Sequence, residues 1–161
     1  MSATTRQQQS IQQRPWARVL TRGPRVITAP PARTVVTVLI LAGAVLTVLS
    51  GVLHLYLWGE ANGYREIPTI GPLFLAQGIA ATAIGLVTAV TRWLIVVLAA
   101  AGTLVATAAG LVITIEHGLF GFRESWGAPY ARASVYEELA GAVLLLIAAG
   151  VLARPRRSSP A

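Results

Sequence analysis

Four long apolar runs decide what this chain can fold into. A helix crossing about 30 Å of hydrocarbon needs about 20 apolar residues at about 1.5 Å rise each. Residues 35–58, 72–90, 93–115 and 135–153 each meet that requirement. Lipid offers the backbone no hydrogen-bond partners, so each run must pair its own amides as a helix. The predicted fold class is therefore all-α, an integral membrane four-helix bundle. Composition agrees: 55% of the residues are hydrophobic and only 12% are charged, far from the balance of a soluble domain. The second and third spans leave room only for a tight turn at Thr91, Arg92 and Trp93. The fourth is predicted to start at a capping box, Ser134-x-x-Glu137.

The arginines orient the bundle. Arg6, Arg14, Arg18, Arg22, Arg25 and Arg33 precede the first span, Arg92 sits between the second and third, and Arg154, Arg156 and Arg157 follow the fourth. With an even number of spans these all fall on one side, and basic residues near span ends stay in the cytoplasm. The other two loops carry Arg65, Arg123 and Arg132 with all six glutamates. Both termini are predicted to be cytoplasmic, in a bacterial inner membrane. The net charge of +7 then reports topology, and a nucleic-acid footprint is not expected.

Residues 1–33 read as a basic cytoplasmic tail, and residues 154–161 as a second. The first lacks the pattern of a cleaved signal peptide. It is either disordered or carries a two-turn surface helix between Pro15 and Gly23, with Arg14, Arg18 and Arg22 on one stripe. The absence of cysteine closes thiolate metal sites and disulfides.

A short echo crosses the two halves: Gly63-Tyr64-Arg65-Glu66 and Gly121-Phe122-Arg123-Glu124 each follow an odd-numbered span. Small residues repeat too, as Gly43, Thr47 and Gly51 in the first span and as Gly102, Ala106 and Gly110 in the third. The simplest account is two helical hairpins related by a pseudo-twofold axis along the membrane normal. The small-residue stripes are expected to pack the first and third spans against each other or against another copy. The loop motif is expected to clasp the two halves through reciprocal Arg65–Glu124 and Arg123–Glu66 pairs. Trp58, Tyr64, Phe122, Trp126 and Tyr130 are assigned to an outer interfacial belt.

Counting residues along the spans gathers His54, Gln77, Glu116, His117, Glu137 and Glu138 into one outer layer. Ionisable groups at such depth default to a functional reading with a named partner. As a binding site the layer offers two His and several Glu, a set able to hold a metal or haem, with His54, His117 and Glu138 as its centre. Against this, Glu116 and His117 are adjacent and diverge on a helix, and the Glu-x-x-His pairs of di-iron bundles are missing. No cofactor is therefore expected, and metal, haem or a small ligand is the alternative. No catalytic Ser-His-acid, phosphate-loop or His-Glu-x-x-His pattern occurs, so catalysis is not expected.

The run HLYLWGEANGYREIPTIGPLFLAQ, from His54 to Gln77, resembles a segment of small four-span membrane proteins of actinobacteria whose function is unknown. The resemblance implies the topology and a high-GC bacterial source, and it carries no activity. The function expected is that of a non-catalytic accessory, scaffold or assembly subunit, whose partners are the bilayer and another membrane protein or a second copy.

Overall fold

A computed structural model describes residues 15–61 and 63–154, with the side chains of Pro15, Glu60 and Ala61 left undescribed. A short helix, α1 (Pro15–Leu20), leads into four long ones: α2 (Pro30–Tyr56), α3 (Ile70–Thr91), α4 (Leu94–Glu116) and α5 (Ala131–Ala153). Each long helix is long and apolar enough to span a bilayer. The protein is an all-α membrane-spanning four-helix bundle. Its outward surface is apolar along the helices, with Val38, Val45, Leu86, Val90 and Leu146 among the exposed side chains, as hydrocarbon contact demands. Threonines inside the helices return their hydroxyls to their own backbone, as Thr47 does to the Gly43 carbonyl at 2.8 Å and Thr88 to that of Ile84 at 2.7 Å.

Two helix starts move by about a turn from their predicted places, while α3 and α4 keep both ends within two residues. α2 begins at Pro30 because proline is tolerated in the first turn, where its missing N–H has no partner to lose. It runs on through a wider π turn over Leu57–Ala61. α5 begins at Ala131 behind Tyr130, whose φ of 65° breaks the preceding chain. The predicted capping box therefore does not form. Ser134 lies inside the first turn, buried, with its amide bonded to the Tyr130 carbonyl. The α3–α4 turn is as tight as predicted, with Arg92 in the left-handed region and Trp93 capping α4.

The N-terminal segment also departs from expectation over its described part, since residues 1–14 lie outside the described chain. α1 forms, and the segment after it is docked, not free. Pro24 is buried, Val19 and Ile27 pack on the core, and the Arg22 carbonyl accepts the Leu94 amide at 2.8 Å. Residues 15–27 thus close the end of the bundle where α3 turns into α4.

The four spans form a ring in which α2 touches α3 and α5, and α4 touches α5; α3 and α4 make the least extensive contact of the four neighbouring pairs. The first and third spans sit on a diagonal. The expected packing of their small-residue stripes on each other is therefore overturned. Gly43 faces Leu145 of α5, and Gly51 meets Gly78 and Thr82 of α3, so one stripe serves two neighbours. Thr47 is buried between them. Gly102 and Gly110 have no atom within 4 Å of where a Cβ would stand, and Ala106 is exposed. Hairpin packing is compatible with an internal duplication, but the glycine stripes do not share a role.

The main core fills the end near α1, with Ile40, Val97, Leu104, Leu145 and Leu152 nearly inaccessible. At the opposite end a small cluster of Leu57, Tyr64 and Ile70 is buried among the described residues, under the two long loops. That end is underfilled.

Candidate functional site: a mostly apolar cavity at the loop end of the bundle

The underfilled end encloses a cavity of about 420 Å³, walled by α2, α3, α4, α5 and both loops. Its surface is mostly apolar, with Leu57, Ile70, Phe74 and Leu111 in the wall. Five of the wall residues are also exposed on the outside: Pro129 in the second loop, and Leu73, Ala76 and Ala80 on α3 with Ala106 on α4. The cavity therefore opens sideways between α3 and α4, the pair that packs least. Gly110 contributes to the same wall, and its bare Cα is one reason the space stays open.

The roof is aromatic. Gly63, with φ at 68°, turns the chain so that Tyr64 folds inward, and Gly71 lets α3 pass against the Arg65 backbone, where a Cβ would stand 2.5 Å from the carbonyl oxygen. Tyr64 stacks on Phe74 at 4.6 Å, Phe74 lies 5.0 Å from the His54 ring, and Phe122 meets Tyr64 edge-on at 6.1 Å. The second loop reaches this contact through a tight Leu119–Phe122 turn whose central residues, Phe120 and Gly121, both have positive φ. The belt assignment of Tyr64 is overturned, since it is 7% exposed and lies inside. Trp126 and Tyr130 remain outside.

The loop motif does join the halves, but not through ions. Arg65 bonds its neighbour Glu66 at 2.9 Å in an exposed pair. Arg123 donates to the Ile115 and Glu116 carbonyls at 3.1 and 3.0 Å, capping the C-terminus of α4. Glu124 instead accepts a short hydrogen bond from the Tyr64 hydroxyl and a second from the Ser125 amide. The reciprocal Arg65–Glu124 and Arg123–Glu66 pairs do not form. Burial, and then the adjoining Glu124 carboxylate, push the Tyr64 phenol well above its ordinary value, so it stays protonated.

Of the six residues predicted as ligand candidates, three meet at the cavity. His54, Gln77 and Glu138 line it. Ser50, one turn before His54, links two of them. Its carbonyl lies 2.8 Å from His54 Nδ1, and its hydroxyl donates to Glu138 Oε1 at 2.9 Å. A carbonyl only accepts, so Nδ1 carries a proton and Nε2 is the ring's remaining polar atom. Glu138 is 1% exposed, and its Oε2 has no hydrogen-bond partner among the described residues. Gln77 donates to the Thr107 hydroxyl, tying α3 to α4 across the opening.

The other three predicted residues separate from this group. His117 is exposed at the end of α4, and Glu116 is exposed with its Oε1 accepting from Trp126 Nε1 at 3.3 Å. Glu137 lies outside the cavity wall, with a buried Oε1 that has no partner among the described residues. Depth counting placed all six in one layer, but azimuth around each helix decides which face the interior. Among the described residues no three His or Glu side chains gather as a metal site would require, and His54 and His117 do not share a site. Sequence reasoning missed Ser50 as a site residue, and it assigned Tyr64 to the interfacial belt and Glu124 to an ion pair instead of to the cavity. The signal available for Ser50 was its place four residues before His54, one helical turn below it.

Fold and site together define a multi-pass membrane protein with a laterally open, mostly apolar cavity that carries a few polar groups at one end of its bundle. No protein-family model matches the chain, and neither the curated proteins nor the solved structures yield a match.

Proposed function

We propose that this is a ligand-binding membrane protein that takes a small, largely apolar molecule from the bilayer into the cavity at the loop end of its bundle. The observation that carries the reading is Glu138: a carboxyl buried among apolar helices, with one oxygen unpartnered among the described residues, on a residue that lines a cavity of about 420 Å³. Ionisable groups at such depth are expensive and are kept where a pathway or ligand uses them, and concave apolar sites with a few convergent polar groups are the usual form of small-molecule pockets. The gap between α3 and α4 supports entry from the lipid side.

The test is to fill the space. Gly110→Leu adds a side chain to the wall at a position where a Cβ meets nothing within 4 Å, and unchanged far-UV circular dichroism checks that the bundle accepts it. Saturable fluorescence enhancement of the neutral probe 1-aminoanthracene is expected with the protein in lipid nanodiscs, beyond that of empty discs. Gly110→Leu should abolish it. Equal enhancement in both proteins would overturn the reading.

The arginine distribution supports placement in a bacterial inner membrane with both termini in the cytoplasm. The cavity would then open near the outer leaflet, and reporter fusions at both ends test this. A second reading, an accessory or scaffold subunit, draws support from the uncovered small residues Gly102 and Ala106 on α4. It is tested by capture of a fixed membrane partner that is lost on Gly102→Leu and kept on Glu138→Gln.

A further inference from the structure

We infer that the cavity selects a cation, an organic ammonium carried on an apolar body, with Glu138 as its anchor. The inference rests on the ligand-binding reading above and narrows it by charge. Among the described residues the wall contains two carboxyl groups, Glu124 and Glu138, and no arginine, and the chain has no lysine. The two arginines of the roof loops are committed elsewhere, Arg65 to Glu66 and Arg123 to the end of α4.

The remaining polar atoms sort by donor and acceptor character. Glu124 has both oxygens engaged, by Tyr64 and by the Ser125 amide. Glu138 has Oε2 spare. His54, with Nδ1 held as a donor by the Ser50 carbonyl, offers a lone pair at Nε2 in its neutral form. An ammonium head supplies donors to both. A carboxylate ligand would meet two acidic groups and no counter-charge. A buried carboxylate without a partner is among the costliest arrangements in an apolar interior, and a ligand cation supplies the partner the protein omits.

Three probes of one shape and different charge test this on the full chain in nanodiscs at neutral pH: 4-butylbenzylamine, which is protonated there, 4-butylbenzyl alcohol and 4-butylbenzoate. Binding is measured by calorimetry against empty discs. The ammonium should bind at least about tenfold more tightly than the alcohol, and the benzoate should not saturate. Glu138→Gln, nearly isosteric, should bring the ammonium-to-alcohol ratio close to one by weakening the ammonium, with the far-UV circular dichroism unchanged. Glu124→Gln should leave the ratio in place. Alcohol or benzoate binding as tightly as the ammonium, or a ratio that survives Glu138→Gln, would overturn the charge inference alone. Failure of all three probes to saturate would overturn the cavity reading with it.

Discussion

Gly51 and Gly110 occupy comparable places in the two stripes of the sequence, and changing each to alanine should move stability in opposite directions. At Gly51 a Cβ would stand 2.8 Å from the Gly78 carbonyl oxygen and 2.6 Å from the Thr82 amide nitrogen, both backbone atoms of α3. Ordinary contact begins near 3.4 Å, so α2 and α3 would have to part by about 0.6–0.8 Å along their closest approach. Side chains can turn aside, but backbone cannot. Overpacking of this kind costs about 1–3 kcal/mol, against about 0.8–1 kcal/mol gained from alanine's higher helix propensity. With two backbone atoms inside contact distance the cost falls in the upper part of that range, about 2–3 kcal/mol, so Gly51→Ala should lose roughly 1–2 kcal/mol net. At Gly110 the added methyl meets nothing within 4 Å, leaving only the propensity gain of up to about 1 kcal/mol. The assay is reversible unfolding in mixed micelles at increasing dodecyl sulfate fraction, followed by far-UV circular dichroism. A Gly51→Ala protein as stable as the parent, or equal shifts of the same sign in the two variants, would refute the ring packing on which the cavity depends.

The site itself supports further expectations. Ser50→Ala removes the hydrogen-bond donor to Glu138 and should destabilise the bundle by about 1–3 kcal/mol in the same assay; no loss would mean the bond is not made. A double-mutant cycle between Tyr64→Phe and Glu124→Gln should show a coupling of about 1–2 kcal/mol, while Arg65→Ala with Glu124→Gln should show none, the reverse of what an ionic clasp requires. In an alkaline titration of absorbance at 295 nm, Tyr64 should ionise above the ordinary tyrosine range, and Tyr64→Phe should delete that late step. The sign comes from the raised phenol: its stabilising contribution is complete below the ordinary tyrosine range and is lost only as the pH climbs towards the folded-state value.

Architecture was legible because it rests on one-dimensional quantities. Span number, the tight turn at Arg92 and Trp93, and the all-α class all derive from runs of apolar residues measured against bilayer thickness. Helix starts were less legible. Pro30 and Ala131 lie a turn outside the apolar runs, where backbone geometry at Tyr130 and the tolerance of proline in a first turn decide the boundary. Depth along a span was equally readable, and it brought His54, Gln77 and Glu138 to one level. Whether residues at one level meet is a matter of rotation about each helix axis, which hydrophobic periodicity reveals only when one face is polar. Here lipid makes both faces apolar, so the periodic signal that would place His117 outside and Glu138 inside is missing.

The membrane-spanning bundle and the gathering of its polar groups at one end were determined by the sequence alone, through length, hydropathy and spacing. Only the tertiary structure decided that Gly51 joins helices while Gly110 leaves a gap, that the repeated loop motif meets through Tyr64 and Phe122, and that Glu138 lines a cavity with one oxygen unpartnered among the described residues. The physical reason is that identical residues acquire different roles from what lies opposite them, and in this chain the opposing residues come from helices far apart in sequence.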